Sequence, residues 1–177
     1  MNTLDAIFER RSYRGAFADT PVPEEHLRLI MEAGLAAPSG CNRQTVYLIG
    51  ISDPGVLSRL HRVIDPPVGE TAPAAICVLS KPVPAYRDRC FAVQDYAAAI
   101  ENMLLAIKEL GYDSCWYEGH ITDTDRIGRR MADLLGVPED YELVCFLPVG
   151  KALEAARPPV KKSFEERACF NRFSLKE

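Results

Sequence analysis

Familiar signatures are missing from this 177-residue chain, and each absence removes a class of function. No CxxC pair occurs among its six cysteines, at positions 41, 77, 90, 115, 145 and 169. Zinc ribbons, ferredoxin-type clusters and thioredoxin-like dithiols all lack their spacing, so no metal site is expected. No apolar run approaches the roughly 20 residues of a membrane helix. No basic excess exists either: 21 Lys and Arg stand against 25 Asp and Glu, which speaks against a general nucleic-acid binder. The opening MNTLDAIFERRSYR is charged throughout and has no signal-peptide core. A cytoplasmic location is therefore expected, with the thiols free, reduced and buried. No repeat and no linker divides the chain, so residues 1–177 are expected to form one domain.

What is present is organised around Phe91–Trp116. Tyr96, Ile100, Met103, Ile107 and Leu110 recur at helical spacing, and Ala97, Ala98, Leu104 and Leu105 widen the stripe. The spacing predicts a buried helix closed by Gly111 as a left-handed C-cap, with Lys108 at the negative end of its dipole. Further helices are expected over residues 3–10, capped by Thr3 with Leu4, Ile7 and Phe8 inward, and over residues 24–35, 54–64 and 124–135. Val46–Ile51, Ala74–Ser80 and Tyr141–Val149 read as buried strands. Lys81–Arg89 reads as a polar loop. The tail from about 151 to 177, with Phe164, Phe170 and Phe173, has no place in its own core and is expected to pack on a partner subunit.

Three stretches carry chemistry. Arg10, Arg11 and Arg14 surround Ser12 at a helix-to-loop break, and guanidinium groups suit bidentate recognition of a phosphate. Ser39, Asn42 and Gln44 lie in a Pro-, Ser- and Gly-containing loop, where amides can read the edge of a heterocycle. Glu118-Gly119 follows Trp116-Tyr117, and a glycine there admits a flat ligand close to the backbone. Taken singly, these also read as a solvated basic patch, a capped turn and a plain loop. Taken together they match the needs of a phosphorylated planar cofactor such as flavin mononucleotide (FMN).

Glu9-Arg10-Arg11-Ser12-Tyr13-Arg14, then Ala37-Pro38-Ser39-Gly40-Cys41-Asn42-Arg43-Gln44, resembles the opening motifs of the nitroreductase family. Glu109-Leu110-Gly111-Tyr112-Asp113-Ser114-Cys115-Trp116 resembles the exit of that family's central helix, and Leu147-Pro148-Val149-Gly150 and the proline-and-lysine tail follow in order. The resemblance implies an α+β fold, a central sheet flanked by helices in an intertwined homodimer. It also implies FMN at the dimer interface, NADH or NADPH as donor, and a small-molecule acceptor such as a nitroaromatic or quinone.

By the same resemblance, Arg10 and Ser12, with Lys161 or Lys162, hold the phosphate. Arg14 sits near the pyrimidine edge, Asn42 bonds the ring or ribityl chain, and backbone at Glu118 and Gly119 approaches N5. No side chain is expected as a general acid or base, since the flavin carries the hydride. The sequence departs from the family where Thr45-Val46 replaces the usual Pro-Trp after Gln44, and where Lys161-Lys162 stands in place of an arginine. Open beside this reading are a flavin-binding or sensing role, dehalogenation or flavin breakdown, and a redox role for Cys41 beside Arg43.

Overall fold

The computed structural model describes residues 2–121 and 126–174. In chain order its elements are α1 (Thr3–Glu9), α2 (Glu24–Leu35), a 3-10 turn (Gly40–Asn42), β1 (Val46–Ile51), α3 (Pro54–His61), β2 (Ala74–Ser80), β3 (Pro84–Tyr86), β4 (Arg89–Cys90), α4 (Ala92–Glu109), α5 (Ile127–Leu134) and β5 (Glu142–Val149). The three long strands form one antiparallel sheet in the order β1-β2-β5. The expected α+β class holds.

β2 lies between β1 and β5, so its backbone is paired along both edges. Its side chains alternate between two cores. Ala75, Cys77 and Leu79 meet Leu57 and Leu60 of α3 and Ile127 and Met131 of α5. Ala74, Ile76 and Val78 meet Leu27 and Ile30 of α2 and Ile100, Met103 and Ile107 of α4. A strand covered on both faces favours apolar residues on both, hence the unbroken run AAICVL before Ser80. In β5, Val78 pairs with Cys145 and Leu79 with Leu143. Val144 is thus the extra residue of a bulge, and it joins Cys145 in the α2/α4 core.

α2 and α4 approach closely at Gly34, where an added Cβ would fall 2.7 Å from Met103 Cγ. α4 ends with Gly111 at φ +80, the left-handed cap expected.

Several expectations are corrected. α1 is capped by Asn2 rather than Thr3: Asn2 Oδ1 accepts the Asp5 N–H at 3.0 Å, and the Asn2 N–H in turn donates to Asp5 Oδ2 at 3.4 Å. Leu4 and Phe8 of α1 are 62% and 71% exposed, because only Ala6 turns inward from this two-turn helix. α3 stops at His61, and Val63 and Ile64 fold back to donate to the Leu60 carbonyl. Residues 81–89, read as loop, include most of the β3–β4 hairpin. Cys77, Cys115 and Cys145 are buried free thiols as expected, but Cys41, Cys90 and Cys169 are exposed.

The expected start of α5 at Thr124 lies outside the described residues. Among the described residues, no helix is long and apolar enough to cross a membrane. No group of three or more His, Cys, Asp or Glu among them is placed to hold a metal ion.

Candidate functional site

The basic segment leaves α1 at Arg10 and runs extended beside the chain that leaves α4. Ser12 bridges Ser114 in parallel, and the Tyr13 N–H donates to the Ser114 carbonyl at 2.8 Å. This pairing brings the first and third candidate stretches together. Arg14 comes close enough to Cys115 for its charge to act on the thiol, although burial dominates and pushes that thiol up to about 11. Ser12 and Arg14 are exposed.

Two polar atoms beside them are buried without a hydrogen-bond partner: Arg10 Nε and Ser114 Oγ. Glu101 Oε1 lies 3.4 Å from Arg10 Nε, an ion pair without hydrogen-bond geometry. Arg11 is otherwise engaged: its Nη1 donates to the carbonyls of Phe8 and Arg10 at 2.6 and 2.8 Å. It closes its own helix, supplying the cation that the end of α1 lacks.

The Ser39–Gln44 loop is held by Asp95, a buried carboxylate in the first turn of α4. Its Oδ1 accepts the Gly40 N–H and its Oδ2 accepts the Thr45 hydroxyl, each at 2.7 Å. Ser39 Oγ accepts the Gln44 N–H at 3.0 Å. Cys41, Asn42 and Gln44 take φ of 50, 53 and 51, left-handed values that non-glycine residues seldom adopt. So constrained, the loop leaves Asn42 and Gln44 exposed.

Tyr96, the next residue of α4, braces the third stretch. Its hydroxyl donates to Glu118 Oε1 at 2.8 Å, and Trp116 Nε1 donates to Glu118 Oε2 at 2.6 Å. Burial first, and then the Glu118 carboxylate, raise the Tyr96 phenol well above its ordinary value, so it remains a donor. The Ile121 N–H closes a turn onto the Glu118 carbonyl at 2.7 Å. A Cβ on Gly119 would meet nothing within 4 Å. One turn of α4 thus positions two separate loops.

Lys161 and Lys162 are exposed in the tail. Arg157, four residues before Lys161, lines a cavity of about 360 Å³ together with Ser12, Tyr13 and Arg14. Sequence reasoning passed over Arg157, Asp95 and Tyr96. Asp95 had one available signal, the only acidic residue in the first turn of the long helix.

Fold and site define an α+β sandwich whose loops present guanidinium, hydroxyl and amide groups around the ends of one central helix. The nitroreductase family model matches residues 7–64 and 60–151, and the chain belongs to the nitroreductase family. A protein of Archaeoglobus fulgidus named "Putative NADH dehydrogenase/NAD(P)H nitroreductase" is 31% identical over 150 residues, covering 83% of each chain. The crystal structure of a nitroreductase with bound FMN from Bacteroides fragilis NCTC 9343 aligns at 26% identity with a TM-score of 0.74, covering 100% of both chains. An FMN-dependent nitroreductase from Clostridium difficile R20291 aligns with a TM-score of 0.80 over 96% of this chain and 99% of its own. At 24% identity that likeness speaks to the fold.

Proposed function

We propose that this protein is an FMN-dependent oxidoreductase acting as a homodimer on a small acceptor such as a nitroaromatic or quinone. FMN held there would supply the hydride-accepting and hydride-donating group between NAD(P)H and the acceptor, in ping-pong order. The observation that carries the reading is the Ser12–Ser114 pairing, which sets the Arg10–Arg14 segment beside the chain that runs from Ser114 to the Glu118 turn. The donor set fits FMN: two buried polar atoms without a hydrogen-bond partner stand next to an exposed serine and arginine.

Arg10 and Ser12 hold the phosphate, and Ser114 Oγ offers a further hydroxyl. Arg157 or the tail lysines Lys161 and Lys162 add cationic charge. Arg11 stands outside the set because its Nη1 is tied to the Phe8 and Arg10 carbonyls at the end of α1. Arg14 faces the pyrimidine edge, where positive charge offsets negative charge gained on reduction. Ser39, Asn42 and Gln44 present the loop that reads the ring or ribityl chain. Tyr96 and Trp116 fix Glu118, and the Glu118-Gly119 backbone so held would be the part that meets N5.

The homodimer reading is supported by apolar surface with nothing on it in the single chain. Phe8, Phe164, Phe170 and Phe173 are all exposed, and such side chains ask for a partner. Within this reading, residues 1–177 are one domain with the tail packed on the other subunit.

The test is oxidation of NADH or NADPH by the purified, FMN-loaded protein with menadione or nitrofurazone as acceptor. Turnover that is lost on stripping FMN and restored by adding it is expected. A flavin-loaded protein that oxidises neither nucleotide would instead be a binding or sensing protein.

A further inference from the structure

The β3–β4 hairpin takes no part in either core, yet its base is firmly placed. Phe91, immediately after β4, packs on Gly40, where an added Cβ would fall 2.7 Å from Phe91 Cβ. Asp95 then ties the Gly40 N–H to the first turn of α4. The hairpin therefore projects from the same Ser39–Gln44 loop that the flavin reading uses.

Its two-residue turn is Arg87-Asp88, at φ 49 and 60. Such turns usually carry Asn or Gly, because both positions need positive φ. Here an arginine stands at the tip instead. Tyr86 and Arg89 are register partners across the pair, so their side chains rise from one face. The Arg87 guanidinium lies 5.1 Å from the centroid of the Tyr86 ring. One guanidinium thus lies over a half-exposed aromatic ring, and a second arginine stands at that residue's register partner.

Neither arginine has an ion-pair partner among the described residues. Arg43, exposed on the supporting loop, adds a third cation, and Asp88 is the one acid within the hairpin. This local positive excess sits in a chain whose net charge is −4. A flat Tyr–Arg surface beside a second arginine suits a purine nucleoside whose ribose carries a phosphomonoester.

We propose that the β3–β4 hairpin binds the 2′-phosphoadenosine end of NADPH, and so sets a preference for NADPH over NADH. Tyr86 with Arg87 provides the surface for adenine, and Arg87 and Arg89 grip the 2′-phosphate. The proposal rests on the oxidoreductase reading and adds to it the choice of donor.

The experiment titrates the FMN-loaded protein calorimetrically with adenosine 2′,5′-bisphosphate and with 5′-AMP, which differ only in the 2′-phosphate. The wild type should bind the bisphosphate about tenfold to a hundredfold more tightly, the worth of one charge-assisted contact. Arg89→Ala should reduce that preference and leave 5′-AMP binding unchanged; adding Arg87→Ala should abolish the preference and weaken both nucleotides through the adenine surface, with kcat/KM falling further for NADPH than for NADH. Circular dichroism and flavin absorbance of the variant check fold and cofactor separately. Equal affinity for the two nucleotides in the wild type, or a preference that survives both substitutions, would overturn the proposal. A protein without flavin would count against the oxidoreductase reading, which the absorbance reports independently of the titration.

Discussion

Replacing Asp95 by alanine removes the acceptor for two donors at once. The Gly40 N–H and the Thr45 hydroxyl each reach it at 2.7 Å, and the carboxylate is 4% exposed, so water cannot easily take its place. Hydrogen bonds to a charged group contribute about 1.5–3 kcal/mol each. Losing both, in a pocket that a methyl group cannot fill, should cost about 3–5 kcal/mol, a large part of a typical total stability. For a chain of this size that lowers Tm by roughly 6–20 °C.

Asp95→Asn keeps one oxygen for Gly40 and offers an amide to the Thr45 hydroxyl, which can reorient to accept. It should cost about 1 kcal/mol. Because Asp95 anchors the loop bearing Asn42 and Gln44, the alanine variant should also bind FMN more weakly. The assay is thermal unfolding of both variants with and without saturating FMN. An alanine variant within a degree or two of wild type, with unchanged FMN affinity, would refute the assignment of Asp95 as the loop's anchor.

Arg10→Ala should mainly weaken FMN retention, by about one to two decades for one charge-assisted contact. Arg14→Ala should instead lower the flavin midpoint potential and slow its reduction at saturating FMN; the reverse pattern would exchange the two roles. Cys41→Ser should leave NAD(P)H oxidation intact, and loss of activity with FMN retained would make the thiol a participant. Burial pushes Cys77 up to about 12 and Cys115 up to about 11 from 9.0. Raised folded-state values mean their contribution to stability is complete below pH 9 and is lost as the pH climbs toward 11–12, which denaturant melts across that range would detect. Sedimentation at micromolar concentration should show a dimer, and a stable FMN-loaded monomer would contradict the interface reading.

Much of the scaffold was legible because its signals are local. Glu24–Leu35, Val46–Ile51 and Ala74–Ser80 stand where periodicity and unbroken apolar runs placed them. The exposed face of α1 was not, since Leu4, Ile7 and Phe8 have helical spacing whether covered by the same chain or by another. The β3–β4 hairpin escaped notice because an Arg-Asp turn lacks the Asn-Gly signature of its geometry. In the candidate site, residue types pointed to three stretches but not to the side chains that support them. Asp95 and Tyr96 look like any first-turn helix residues until folding sets loops against them. Arg11 looked equivalent to Arg10, and only the position of the last carbonyls of α1 separates the two.

The central claim is tested most directly by the absorbance spectrum of the purified protein, followed by chromatography of whatever denaturation releases. The account predicts a yellow protein with flavin absorbance that frees FMN, close to one per chain, when unfolded. A colourless protein that also fails to take up added FMN would contradict it.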